Sequence, residues 1–237
     1  MRKTPLVRTL TILSGTMALI LLLIGCGGGS TPAPSAQQLI QNAQAAIQKV
    51  SSYHFNLKAQ NIGTTSQLPI QSADGDIVVP DKLQATANVI FGGATVQAQI
   101  IEIGDKQYLN VLGGWQQTSG LLDPRALSDP QKGVAAILGQ LKNPGTPNDS
   151  SSDGTPCWSI KGKLDASVLA AIVGGGAPAG TQDDVQTCIG KSDNLPYLIV
   201  ITGVATQGDT AQTVRTFKLS KFNEKIAINP PPITPTP

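Results

Sequence analysis

The sequence predicts an α+β protein: a strongly curved antiparallel β-sheet, a half-barrel, with helices covering its concave face. Three observations predict it. Apolar and polar residues alternate with a period of two in long stretches of both halves of the chain, the mark of strands with one buried face. Short glycine-bearing turns separate those stretches in the first half, so its strands form an antiparallel meander. Three amphipathic helical segments also occur, and their apolar stripes need cover as much as the sheet's apolar face does.

The chain opens with Arg2, Lys3 and Arg8, followed from Leu10 to Ile24 by a nearly continuous apolar run without charge. This is the pattern of a bacterial export signal. The run is short for a membrane span, which needs about 20 residues; the alternative is an anchor that is never cleaved. Gly27 to Pro34 reads as flexible spacer. At the seam, Leu23-Ile24-Gly25-Cys26 resembles the lipobox of bacterial lipoproteins. That resemblance implies that the Cys26 thiol takes a diacylglyceryl group and that cleavage leaves Cys26 as the N-terminus. Two acyl chains hold a protein on a membrane where one binds only marginally. The implied organisation is a signal peptide over 1–25, a tether over 26–35, a folded domain over 36–229 and a disordered tail over 230–237. The implied location is extracytoplasmic, lipid-anchored to the cell membrane.

Each element of the domain has its own local cause. Ser35 caps a helix from Ala36 to about Val50, with Leu39, Ala43, Ile47 and Val50 as its apolar stripe. In "YHFNLKAQ", Tyr53, Phe55, Leu57 and Ala59 alternate with His54, Asn56, Lys58 and Gln60. "LQATANVIF" turns Leu83, Ala85, Ala87, Val89 and Phe91 to one face, and "TVQAQI" does the same with Val96, Ala98 and Ile100. Gly92-Gly93 makes the hairpin between them. Gly104-Asp105 turns the chain into a further strand, "KQYLNVL". Pro124 to Leu141 reads as one or two short helices striped by Val134, Ile137, Leu138 and Leu141, and Asn143 to Pro156 as a polar loop. A strand at "CWSIKG" leads to Asp165, which caps the short helix "ASVLAAIV"; Gly174-Gly175-Gly176 stops it. Strands follow at Val185–Ile189, Tyr197–Val204 and Thr213–Phe222.

Composition narrows the function. The chain of 237 residues carries a formal +2, but its first 25 residues hold three basic and no acidic side chains, so the remainder is −1. Nucleic-acid binding, which rests on a basic patch, is not expected. With Cys26 lipidated, Cys157 and Cys188 remain, and an even pair outside the cytoplasm reads as a disulfide. The alternative is two separate buried thiols. Aromatics are only 4%, so the inner faces are mostly small aliphatics. They either fill a solid core or leave an apolar cavity.

"SSYHFNLKAQ", "ADGDIVVPDKLQATA" and "IEIGDKQYLNVLGGW" look like the first half of the LppX/LprG lipoproteins, and "WSIKGKLDASVLAAIV" with "VQTCIGKSDNLPYLIVITGV" looks like their second half. The resemblance covers roughly Gln37 to Ile228. It implies a LolA/LolB-like fold whose space between sheet and helices holds acyl chains of lipids or glycolipids. On this chain those acyl chains are expected against Phe55, Leu57, Val89, Phe91, Ile100, Leu138 and Ile172. The implied partners are the membrane, a lipid or glycolipid cargo, and a lipid exporter or acceptor protein. The Cys157/Cys188 pair and the long 143–156 loop depart from the family pattern.

Motifs for chemistry are sparse. His54, the only histidine, falls on the solvated side of its strand, and no catalytic residue, metal site or cofactor is expected. Asp74, Asp76 and Asp81 around Gly75 lack the spacing of a calcium loop and read as a hairpin turn. Trp115 is expected in turn or core packing, and Trp158 against the disulfide beside it. A non-enzymatic lipid carrier is the first reading. A scaffold, assembly or signalling lipoprotein without cargo is the second.

Overall fold

The computed structural model describes residues 34–63, 70–120, 124–173 and 176–232. The expected signal peptide, Cys26 and most of its spacer, Gly174-Gly175 of the glycine stop and the last five residues lie outside these. The described residues form one compact unit.

Helix α1 (Ala36–Ile47) starts where Ser35 accepts a hydrogen bond from the Gln38 amide at 3.2 Å. Its stripe of Leu39, Ile40, Ala43 and Ile47 is buried. The remaining helices are short: α2 (Pro124–Ser128), α3 (Val134–Gly139) and α4 (Ala170–Val173), the last entered through a 3₁₀ turn capped by Asp165. Eleven strands form one open antiparallel sheet: β1 (Ser52–Gln60), β2 (Ile70–Val78), β3 (Lys82–Phe91), β4 (Ala94–Ile103), β5 (Lys106–Val111), β6 (Gly114–Thr118), β7 (Asn148–Ser152), β8 (Thr155–Asp165), β9 (Gln182–Gly190), β10 (Pro196–Thr202) and β11 (Val214–Ser220).

Strand order is β6-β5-β4-β3-β2-β1-β11-β10-β9-β8-β7. Two meanders therefore meet in the middle. One runs outward from β1 to the β6 edge, and the other runs inward from the β7 edge to β11. The join sets Phe55 opposite Leu219 and Leu57 opposite Phe217. The helices lie on one face, where Leu39, Ile47, Ile137, Leu138 and Leu169 share a core with Tyr53, Ile77, Leu83, Ile160, Val185, Ile199 and Leu219.

Three local readings are corrected. Asp74, Gly75 and Asp76 are not a hairpin turn. They lie inside β2, with Gly75 between Phe55 and Ala85. A glycine is needed there for close approach, since a Cβ would stand 2.3 Å from the Gln84 carbonyl oxygen and 2.7 Å from the Ala85 Cβ. The polar loop contains edge strand β7, whose sequence NDSSS has no apolar face to reveal it. The Cys157–Cys188 disulfide is present, joining β8 to β9. Trp158, however, packs on the helix–sheet core under the Lys191 ammonium, 4.0 Å from the ring centroid. Neighbours along a strand point to opposite faces, so adjacency in sequence misplaces it.

Candidate functional site: an apolar trough on the concave face

The register assembles inner-face side chains into rows across the first half of the sheet. One row is Phe55–Gly75–Ala85–Ile100–Leu109 and the next is Leu57–Ala73–Ala87–Ala98–Val111. The middle of these rows is glycine and alanine. Ala73, Ala85, Ala87 and Ala98 are buried as a low floor. Leu57, Val89, Val96, Leu109 and Val111 stand beside this floor half-buried and join neither packed cluster of the molecule. The arrangement is a candidate apolar trough: a floor of small residues flanked by half-buried aliphatic side chains outside the packed clusters.

The expected lining residues divide accordingly. Phe55, Ile100 and Ile172 are partly buried against the edge of the helix–sheet core. Leu57 and Val89 lie on the open stretch. Leu138 is packed inside the core at 1% exposure. Phe91 ends β3, and its side chain lies outside the description. At the end marked by Tyr53 the helices close down on the sheet. A crevice among Ile47, Val50, Tyr53, Val79, Leu127 and Val134 leaves only about 20 Å³. Burial there pushes the Tyr53 hydroxyl pKa far above its usual value.

The opposite end of the inner face holds a polar cluster that sequence reasoning missed. Arg215, one turn of the alternation before Phe217, grips Asp209 through two contacts, Nη1 to Oδ2 at 2.8 Å and Nη2 to Oδ1 at 2.9 Å. Asp209 Oδ2 also accepts the Ala205 and Thr206 amides at 3.1 and 2.7 Å. Burial alone would raise the Asp209 pKa, but the Arg215 and Thr206 hydrogen bonds and the Arg215 charge hold it below the usual value. Asp183 is 1% exposed and accepts the Val204 amide at 2.8 Å. Burial raises its pKa despite that bond. The signal available in sequence was a charged residue at an apolar-phase strand position, Arg215 before Phe217 and Asp183 before Val185.

His54 lies on the outer face. Its Nδ1 is 2.8 Å from Asp76 and its Nε2 3.3 Å from Asp74, which also accepts from the Asn56 amide at 3.0 Å. This ladder ties β1 to β2 and stands on the opposite side of the sheet from the trough. Among the described residues no group of three or more His, Cys, Asp or Glu is placed to hold a metal.

Comparison with known proteins agrees with this architecture. The family model described as LppX_LprAFG lipoprotein matches residues 35–228. LprF of Mycobacterium bovis, named for the transport of diacylated glycolipids, is 27% identical over 170 residues, which span 64% of this chain and 64% of that protein. The lipoarabinomannan carrier protein LprG of Mycolicibacterium smegmatis is 25% identical over 163 residues, 64% of this chain and 68% of that protein. The crystal structure of LprF from Mycobacterium bovis superposes with a TM-score of 0.68 at 23% identity, covering 84% of this chain and 98% of that one. The last likeness bears on fold alone.

Proposed function

Because this chain belongs to the LppX_LprAFG lipoprotein family, we propose that it is a membrane-anchored lipoprotein that binds acyl chains of lipids or glycolipids in its concave trough. It carries or presents them at the cell envelope and catalyses nothing. One observation carries the reading: the Ala73, Ala87 and Ala98 floor lies beside Leu57, Val89, Val96 and Val111, aliphatics that pack in neither cluster. Such side chains gain nothing further from the fold, whereas each hydrocarbon methylene laid on them contributes about 0.8 kcal/mol on leaving water.

In this reading Phe55, Leu57, Val89 and Ile100 contact the acyl chain from the sheet. Leu138 and Ile172 back it from the helices. Cys26, acylated, confines the carrier to the membrane where cargo, exporter and acceptor are found. The relatives' names support a lipid or glycolipid as cargo.

The test is organic extraction of the purified full chain, followed by mass spectrometry of what is released. Stoichiometric acyl lipid is expected, apart from the covalent anchor. Replacing Val89 with Trp fills the trough from its open wall and should reduce recovered lipid several-fold. Recovery of no lipid, together with no uptake of a fluorescent fatty acid, would overturn carriage and leave a cargo-free scaffold.

A further inference from the structure

We propose that the end of the sheet bearing the β3–β4 and β5–β6 connections and the start of β2 is a bilayer-docking surface, with Leu112 at its apolar tip. The register puts these two connections and the first residue of β2 at one end of the sheet and the β2–β3 and β4–β5 turns at the other. Charge follows the same division. Residues 59–63, 70–73, 83–101 and 107–120 contain no Asp, Glu, Lys or Arg, in a chain that is 14% charged. The two turns at the far end carry Asp81-Lys82 and Asp105-Lys106. Hairpin tips of glycine and leucine, flanked by uncharged aliphatic, aromatic, hydroxyl and amide residues, can enter a headgroup layer without desolvating an ion.

Leu112 gives the rim its direction. It is 94% exposed, and with Ile70 it is one of two exposed large hydrophobics among the described residues. Both belong to this rim, Leu112 in the β5–β6 turn and Ile70 at the first position of β2. Leu112 also has φ of +63°. That conformation is costly for leucine and readily taken by Asn or Gly. Folding therefore gains from Leu112 neither burial nor a suitable turn. Contact with an apolar phase outside the molecule accounts for it. Gly92-Gly93, on the neighbouring hairpin, adds a tip with no side chain to obstruct approach.

The second half of the sheet keeps its matching end polar, through Asp165 and the Lys163–Asp184 pair at 2.7 Å. The surface is therefore one-sided. It lies at the open end of the trough, away from the closed Tyr53 end, so cargo would pass between trough and bilayer without crossing water. Lacking cations, the rim should dock on neutral phosphatidylcholine as well as on anionic lipid. The inference rests on the proposed tethered-carrier reading for the presence of a bilayer.

The test places a nitroxide at Leu112→Cys, or at Lys106→Cys on the opposite end of the same strand, in the full chain reconstituted into phosphatidylcholine vesicles. Collision with oxygen, enriched in the bilayer, is compared with collision with a water-soluble nickel chelate. The label at 112 should favour oxygen several-fold over the label at 106. Equal nickel access at the two sites would overturn docking, and so would dipolar broadening at 112, which would assign the rim to a second copy of the chain. Leu112→Asn separates docking from folding. Its urea midpoint should be unchanged or raised, while the oxygen preference of a label at Ile70→Cys falls; an unaltered preference would overturn the role of Leu112. A chain that yields extractable lipid yet keeps position 112 in water loses only the docking inference.

Discussion

Gly75 shows how one residue's size shapes both sheet and trough. A side chain there meets the Gln84 carbonyl oxygen at 2.3 Å, a backbone atom that cannot rotate away. Gly75→Ala is expected to cost about 1–3 kcal/mol by overpacking, read as a lower urea midpoint. Asp183 bears on pH. Burial raises its folded pKa above 3.8, so between the unfolded and folded values the native state holds the extra proton. Stability from this group is therefore greatest in acid and falls as pH rises through the folded value. Asp183→Asn keeps an oxygen for the Val204 amide. It should be more stable than the parent at neutral pH, with the gap closing towards pH 4. Asp209, with its lowered pKa, acts in the opposite sense: its contribution is present above 3.8 and is lost as pH falls through its folded value.

At the scale of elements, the sheet is finished by pieces that alternation does not mark. The segment after β11 crosses to the outer face, where Ile226 and Ile228 join Ile101, Tyr108 and Trp115 in a second cluster. Ile228 is only 4% exposed. Ile228→Ala should cost about 2–5 kcal/mol and shift Trp115 emission to the red, whereas a change at the exposed Lys225 should do neither. The disulfide staples the β8–β9 hairpin across a separation of 31 residues. Loop closure of that size stabilises by roughly 3–4 kcal/mol in the chain-entropy model. Helix α3, buried from Val134 to Leu138, was legible from its apolar run. Strands β6 and β7 were not, because edge strands of Gln, Thr, Asn and Ser carry no period-two contrast.

At the scale of the molecule, the proposed binding of acyl lipid on the apolar face of an open eleven-stranded sheet would couple stability to cargo. A ligand bound only by the folded state adds about 2.7 kcal/mol at one hundred times its dissociation constant. Delipidated protein should therefore melt at a lower temperature than protein as purified, and added fatty acid should restore the difference in a concentration-dependent way. A melting temperature indifferent to extraction and readdition would mean that the trough makes no net use of hydrocarbon. The two meanders also meet only when β1 finds β11 about 160 residues later, a non-local pairing of the kind that folds slowly.

By itself the sequence determined what depends on neighbours: the strands of alternating residues, the stripes of α1 and α3, the turns at Gly92-Gly93 and Gly104-Asp105, and the resemblance that anticipated the family. Each is encoded within about a dozen residues, since period and turn chemistry are local properties. Tertiary structure alone decided that β1 and β11 join the meanders, that Gly75 lies within a strand, that Trp158 faces the helices, and that Arg215 meets Asp209. It also gathered the uncharged hairpins at one end. These outcomes depend on register between distant strands, and register is set by which faces are buried together, a condition that exists only once the sheet is assembled.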